Sequence, residues 1–186
     1  MKKFKQNKFL KPPKGNNNNK KVVRQNPDVE TIKIPSFIEI IGPQSFIGHK
    51  KLQKNSKESF TFCQRLKKVV IPNNSELQVI KEKAFYHLSI EELILPPSLK
   101  QIRKEVFSFC SSLKKVEIPY NSQLQIIEEE AFSNSAIEEF TFPPHLTQIC
   151  KRSFSECQNL KKIKFPENSE LKIIEDEAFS VRRLKN

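Results

Sequence analysis

Apolar and polar residues alternate in short segments along the chain, and each segment ends at a proline. Before Pro119, the apolar residues Val116 and Ile118 alternate with the charged residues Lys115 and Glu117. This alternation is typical of a short β-strand with one buried face. Proline has no amide hydrogen and therefore ends a strand. The pattern predicts a series of short strands, each closed by a proline.

These segments recur at a regular interval and reveal an internal repeat. The spacings between successive prolines are 37, 24, 23, 24 and 23 residues. A phenylalanine follows each proline at an offset that alternates between 11 and 13 residues, so two kinds of unit, short and long, alternate with a joint period of 47. The apolar–proline pairs are Ile34-Pro35, Ile71-Pro72, Leu95-Pro96, Ile118-Pro119, Phe142-Pro143 and Phe165-Pro166.

Each unit of about 23 residues is predicted to form one coil of a solenoid, because a single unit cannot bury its own apolar side. After the strand, Leu124 and Ile127 point towards the core again. The segment Glu128–Phe132 carries three acidic residues at its start, where a helix dipole favours them. We therefore expect a strand-rich α/β solenoid of about six coils with short helical turns.

The repeated motif resembles the BspA-type leucine-rich repeats of bacterial surface antigens and of surface-antigen-like proteins in parasitic protists. The pattern Phe-x-x-Cys-x-x-Leu-x-x-Val-x-Ile-Pro occupies residues 107–119, and Ile-x-x-x-Ala-Phe follows it at residues 127–132. The resemblance covers about residues 28–180. It implies a leucine-rich repeat solenoid with the parallel sheet on its concave side, and a role in adhesion or ligand binding. The glycine usual before the Ala-Phe element is replaced here by charged residues.

The first residues differ from the repeats in composition and charge. Nine of the 33 basic residues and none of the 21 acidic residues lie in residues 1–25, which leaves 24 basic against 21 acidic residues in the rest. Asn16 to Asn19 and Pro12-Pro13 give this segment no hydrophobic period. We predict a disordered basic tail over residues 1–27 and a solenoid over residues 28–186, with an insertion at about 47–59.

Several classes of protein are not indicated by the sequence. No apolar stretch approaches a membrane span, and no apolar region follows the basic start as in a signal peptide. These features favour a cytoplasmic location, whereas the family resemblance implies the cell surface. His49, His87 and His145 share no spacing with a catalytic motif. We expect no enzyme activity, no cofactor and no metal site.

Three cysteines occupy equivalent places in the repeat. Cys63, Cys110 and Cys157 are separated by 47 residues each, or two coils. Two strand spacings amount to about 10 Å, which exceeds the reach of a disulfide. We therefore predict buried free thiols at these positions, while Cys150 lies outside the register.

Charged pairs alternate in sign from coil to coil. The two residues that follow the first leucine of each strand segment, or its equivalent, are a lysine pair or a glutamate pair, and acidic runs near the Phe element alternate with basic pairs. Two interpretations remain open: a patterned face for a ligand, or opposite charges that set the order of stacking. The strand pairs are Lys67-Lys68, Glu91-Glu92, Lys114-Lys115, Glu138-Glu139 and Lys161-Lys162, and the second set is Arg103-Lys104, Glu128 to Glu130, Lys151-Arg152 and Glu175 to Glu177.

Two functions from different classes are compatible with these features. The first is recognition of a protein or glycan ligand by the outward residues of the strands. The second is docking on nucleic acid or acidic lipid through the basic tail. The last unit stops after Ala178-Phe179, so self-stacking at an open carboxyl end is also expected. The candidate binding residues are Lys68, Val70, Glu92, Ile94, Lys115, Glu117, Glu139, Thr141, Lys162 and Lys164.

Overall fold

The structure is a computed structural model that describes residues 31–34, 36–37, 39–42 and 66–181. The tail predicted over residues 1–27 and the insertion predicted at about 47–59 lie outside the described residues, as do Cys63 and His49. Both remain predictions.

The described residues form twelve short strands in two parallel sheets of six strands each. Sheet A contains β1 (Thr31–Lys33), β3 (Lys68–Val70), β5 (Glu92–Ile94), β7 (Lys115–Glu117), β9 (Glu139–Thr141) and β11 (Lys162–Lys164). Sheet B contains β2 (Ile40–Ile41), β4 (Val79–Ile80), β6 (Gln101–Ile102), β8 (Ile126–Ile127), β10 (Gln148–Ile149) and β12 (Ile173–Ile174). Each sheet follows chain order, so every coil adds one strand to each sheet. The predicted solenoid of about six coils is confirmed, and sheet B is an addition to the single sheet expected.

The core lies between the two sheets and contains a column of stacked phenylalanine rings. The ring centroids of successive members are 5.0–5.3 Å apart, with interplanar angles of 10–15°. Stacked aromatic pairs stabilise by about 0.5–1.5 kcal/mol beyond the burial of their area. The phenylalanine that follows each proline in the sequence therefore forms one continuous ladder through the described coils: Phe85, Phe107, Phe132, Phe154 and Phe179.

The predicted helical turns are wrong: no described residue is helical, and the segments form tight turns instead. In the coil that contains Phe132, Glu130 has a φ of 55° and Asn134 a φ of 57°. The amides of Glu130 and Phe132 point to the next coil, where they donate to the carbonyl oxygens of Lys151 at 3.1 Å and Ser153 at 2.7 Å. Hydrogen bonds between coils therefore replace those of a helix.

A residue with a left-handed backbone conformation lies two positions before each phenylalanine of the ladder. Its φ lies between 54° and 58°, a region that favours glycine. The family resemblance had pointed to a glycine here, and charged residues occupy the position instead: Lys83, Glu105, Glu130, Arg152 and Glu177. Because the turn amides bond to the next coil, stacking holds these residues in their strained conformation.

The strands of sheet A are joined unequally at their carboxyl ends. Between the strand of a short unit and the strand of the following long unit, one more backbone hydrogen bond follows the paired residues. An example is the bond from the Leu95 amide to the Glu117 carbonyl oxygen at 2.9 Å. From a long unit to the next short unit, within residues 66–181, the amide of Ile118 makes no such bond to Thr141. Sheet A therefore opens between β7 and β9 at this end.

The last described coil leaves apolar side chains uncovered. Phe142 and Ile149 are buried one coil earlier, at 2% and 0% exposure. Their counterparts Phe165 and Ile174 are 45% and 52% exposed.

A candidate binding face on sheet A

The ten candidate binding residues lie on one surface, the outer face of sheet A. Each of the strands β3, β5, β7, β9 and β11 has three residues, and the bounds coincide with the predicted alternation. The middle residue points to the core, and it is buried in β3 to β9 and half-buried in β11. The first and third residues face outwards, and all ten are exposed except Val70, which is half-buried.

The first outward residue of each strand forms a column of alternating charge. Strand pairing sets Lys68 opposite Glu92, Glu92 opposite Lys115, and Lys115 opposite Glu139. Lys162 then lies opposite Glu139 on the last strand. Lys115 therefore lies between two glutamates, as predicted. Lys68 lies between Thr31 of β1 and Glu92, and Lys162, on the last described strand of the sheet, has Glu139 on one side.

The ion pairs on this face do not run straight across the strands. Lys115 Nζ lies 2.5 Å from Glu117 Oε1 on the same strand, and Lys164 Nζ lies 3.5 Å from Glu139 Oε2 on a diagonal. The hydrogen bond that Lys115 donates to Glu117 raises the pKa of Lys115 above its ordinary value. These pairs link the first outward column to the second. Because all four side chains are exposed, the pairs are weak and exchangeable.

The second outward column contains the apolar part of the face. The side chain of Ile94 is 49% exposed although it is a large aliphatic residue. Val70 lies in the same column on the adjacent strand, and Thr141 lies two strands beyond Ile94. The face therefore combines exposed aliphatic surface with charges of both signs.

A shallow depression of about 670 Å³ lies on this face, where sheet A opens. Its lining includes Glu117, Ile118 and Thr141 from the two separated strand ends, together with Lys115, Glu139 and Lys164. The face is therefore not a flat sheet but has a recess lined by three lysines and three glutamates.

The second charge alternation lies at the turns and joins neighbouring coils. Arg103 Nη1 contacts Glu128 Oε1 at 2.8 Å, and Lys104 Nζ contacts Glu129 Oε2 at 2.8 Å. The hydrogen bond to Lys104 lowers the pKa of Glu129, and the same bond raises the pKa of Lys104. Arg152 pairs with Glu177 in the same way. These charges contact each other between coils, which supports the stacking interpretation for this set.

The Glu128 carboxylate also binds the backbone. Its Oε2 accepts a hydrogen bond from the Lys104 amide at 3.0 Å, while its Oε1 contacts Arg103. The Glu175 carboxylate, one joint period later, accepts from the Lys151 amide at 2.8 Å. In these two long units, one acidic side chain therefore holds the turn of the preceding short unit, whereas the equivalent position in the first long unit is Lys81.

The thiols in the repeat register belong to the core. Cys110 and Cys157 are buried, and their thiols donate to the carbonyl oxygens of Phe85 at 3.2 Å and Phe132 at 3.1 Å. Burial raises the pKa of Cys110 to about 12. The out-of-register Cys150 is half-buried, and burial raises its pKa to about 11. None of these three thiols is ionised near neutral pH.

An exposed aromatic cluster was not predicted from the sequence. The ring of Phe109 lies 5.6 Å from Tyr86 and 6.3 Å from His87, measured between centroids. The signal was available, because His87 and Phe109 occupy equivalent places in consecutive units, two residues after a ladder phenylalanine. His145, the other described histidine, contacts Glu170 at 2.9 Å through Nδ1.

In the described part of the chain, no three His, Cys, Asp or Glu side chains come together in a way that could hold a metal ion. None of its elements is a helix with the length and hydropathy that a membrane span requires.

Comparisons with known proteins identify similar sequences and structures. The family model for the BspA type leucine rich repeat region matches in six copies, over residues 47–148 and 78–186. The crystal structure of the pneumococcal vaccine antigen PcpA is similar at 29% identity and a TM-score of 0.60, over 75% of this chain and 31% of PcpA. A leucine-rich repeat protein from Bacteroides ovatus matches at 25% identity and a TM-score of 0.58, over 77% of this chain and 39% of that protein.

The chain spans 31% and 39% of the lengths of these two structures. No curated protein sequence matches it.

Proposed function

The chain belongs to the family of BspA-type leucine-rich repeat proteins, and we propose that it is a non-enzymatic scaffold that binds a protein ligand on the outer face of sheet A. The observation that carries the proposal is the exposure of Ile94, which is 49% accessible within a column flanked by lysines and glutamates. Exposed apolar surface rimmed by polar residues marks sites at which proteins bind each other. The recess between β7 and β9 adds a shape that a partner can fill.

A protein ligand fits this face better than a glycan. The ten candidate residues include no aromatic side chain, so the face offers no ring on which a sugar could stack. It offers lysine and glutamate side chains in alternation, which complement the mixed charges of a protein surface. The exposed aromatic cluster of Tyr86, His87 and Phe109 belongs to the turns and not to sheet A.

The test replaces the uncharged outward residues and measures capture of partners. The triple variant Val70→Asp, Ile94→Asp and Thr141→Asp should fold, because these side chains point away from the core, and should lose bound proteins in a pull-down. The matched control is Gln78→Asp, Gln125→Asp and Gln158→Asp, which adds three carboxylates at exposed positions outside sheet A. Loss of capture by both variants, or by neither, would contradict the proposal.

A second candidate function rests on the charge of the tail. Residues 1–25 carry nine basic and no acidic side chains, a composition suited to nucleic acid or acidic lipid. Deletion of residues 1–25 should leave protein capture intact if the sheet A face is the binding surface. If the deletion abolishes binding while the triple face variant retains it, the tail is the binding element.

A finer proposal is that recognition takes place at a cell surface, as in adhesion. Its support is the similarity to PcpA, which is a vaccine antigen. The measurement is protease treatment of intact cells that produce the protein. Digestion without lysis would support the surface location, and full protection would contradict it.

A further inference from the structure

The first outward column of sheet A alternates in sign over the five strands β3 to β11, and the uncharged Thr31 of β1 lies beside Lys68. The order along the column is Lys68, Glu92, Lys115, Glu139 and Lys162. Adjacent strands in a sheet are about 4.8 Å apart, so opposite charges follow each other at this interval. From Lys68 to Lys162, the four intervals add up to about 19 Å. A partner that pairs with every row must present opposite charges at nearly the same interval.

We propose that the protein ligand contacts this column with an α-helix that lies across the strands and carries acidic and basic residues alternately at every third or fourth position. The inference deepens the proposed function and rests on it. Side chains three or four residues apart share a helix face and rise by about 4.5 or 6.0 Å. Four such steps, alternately of three and four positions, advance by about fourteen positions and rise by about 21 Å. This rise differs from the length of the column, about 19 Å, by less than half a strand spacing.

An extended peptide does not match the same column. Its side chains on one face are two residues, or about 6.7 Å, apart. Four steps then cover about 27 Å, which exceeds the column by more than one strand spacing. Only two or three rows could pair before the charges fall out of register. The spacing of the charges therefore favours a helical ligand.

The second column gives the helix a direction. The five charged rows read the same from both ends, because the first is Lys68 and the last is Lys162. The apolar residues Val70 and Ile94 lie beside Lys68 and Glu92 only, whereas Glu117, Thr141 and Lys164 lie beside the later rows. A helix with leucines at one end of its charged stripe therefore binds in a single orientation.

The experiment uses synthetic helical peptides and the full chain. The matched peptide carries Glu, Lys, Glu, Lys and Glu at alternating intervals of three and four residues, with two leucines beside the first two charges. The spacing control has the same composition with the charges at every second position. Fluorescence anisotropy at low salt should show binding of the matched peptide at least about 10-fold tighter, because several charged rows contribute, and this binding should weaken in 0.3 M salt.

A charge reversal tests the register. The variant Lys115→Glu should bind a peptide whose central glutamate is replaced by lysine at least about 10-fold more tightly than it binds the original peptide. The reason is that the new lysine of the peptide then lies opposite the new glutamate at position 115. The variant Lys81→Glu makes the same charge change at an exposed position outside sheet A. It should leave the preference for the original peptide unchanged.

The outcomes separate the helix inference from the proposed function. Equal binding of the matched and control peptides, or no exchange of preference in Lys115→Glu, would overturn the helix inference. If no peptide binds while the triple face variant still loses its captured partner, the helix inference fails and the proposed function stands. If the triple variant retains its partner, the proposed function itself fails.

Discussion

The Cys110 thiol donates a hydrogen bond to the carbonyl oxygen of Phe85, 3.2 Å away in the preceding coil. Cys157 makes the equivalent bond to Phe132 at 3.1 Å, two coils further along. Each thiol thus satisfies a carbonyl oxygen beside the phenylalanine ladder. The position requires a small side chain that can donate a hydrogen bond and tolerate full burial.

Stability should fall in alkaline solution because of Cys110. Its pKa is about 12 in the folded protein and 9.0 in the absence of the fold. Above pH 9 the unfolded state loses the thiol proton while the folded state retains it, so the free energy of unfolding falls between pH 9 and 12. Below pH 9 this thiol does not affect the free energy of unfolding. Between pH 9 and 12, it lowers the free energy of unfolding by about 1.4 kcal/mol per pH unit. Urea unfolding of the wild type and Cys110→Ala between pH 8 and 11 measures the difference in slope, and equal slopes would contradict the prediction.

The two neighbouring carboxylates Glu128 and Glu129 should contribute unequally. Glu128 is 24% exposed and binds both Arg103 and the Lys104 amide, so Glu128→Ala should lower the free energy of unfolding by about 1–2 kcal/mol. Glu129 is 41% exposed and contacts Lys104, so Glu129→Ala should cost about 0.2–1 kcal/mol. Chemical denaturation of both variants provides the comparison. A larger loss for Glu129→Ala would show that the backbone contact has little effect.

The phenylalanine ladder should be most sensitive in its middle. Phe132 is fully buried between Phe107 and Phe154, so Phe132→Ala should lower the free energy of unfolding by about 3–5 kcal/mol. Phe165→Ala is the control, because that ring is 45% exposed and stacks on Phe142 at 4.8 Å. Phe165→Ala should lower the free energy of unfolding by a clearly smaller amount than Phe132→Ala. Thermal unfolding followed by circular dichroism can rank the two, and equal losses would contradict a central role for the ladder.

A glycine at the left-handed turn position should stabilise the protein. Glu130 has a φ of 55°, a conformation that costs a residue with a side chain about 1–2 kcal/mol. Glu130→Gly removes this cost but adds about 0.5–1 kcal/mol of chain entropy, so the expected net gain is about 0.5–1 kcal/mol. Glu130→Val should destabilise, because a β-branched residue tolerates this region poorly. A loss of stability on Glu130→Gly would mean that the glutamate side chain stabilises the fold through its charge.

The apolar end of the last coil should promote self-association of the 186-residue chain. Ile173 and Ile174 are 49% and 52% exposed on β12, and Phe165 is 45% exposed in the same coil. Such a surface is unfavourable in water and can be covered by a second copy. Light scattering should show a larger species at high concentration, and the double variant Ile173→Lys and Ile174→Lys should reduce it. A wild-type monomer over the full concentration range would contradict self-stacking.

The strands of sheet A could be predicted because two local features define them. In β7, the alternation of Lys115, Val116 and Glu117 sets the buried face, and the proline two residues later ends the strand. The same features place the ten candidate residues on one face. The phenylalanine ladder could be foreseen only as a set of core residues, since ring stacking depends on the separation of the coils.

Sheet B and the turns could not be predicted from local pattern. The strands of sheet B are two residues long, so Ile126–Ile127 shows too little alternation to indicate a strand, and its hydrogen bonds come from neighbouring coils. The acidic residues at Glu128 to Glu130 are typical of a helix start. Bonds to Lys151 and Ser153 in the next coil outweigh that preference. The direction of the Lys115–Glu117 pair depends on side-chain rotamers, which the sequence does not specify.

The alternation of charge between coils restricts how such a protein can change length in evolution. Lys115 lies between Glu92 and Glu139, and Arg103 reaches Glu128 in the following coil. Duplication or loss of a single coil would bring lysine beside lysine and acid beside acid at the new junction. Duplication of two coils, or 47 residues, preserves every opposite-charge contact. Repeat arrays with this charge pattern are therefore expected to grow and shrink in even numbers of coils.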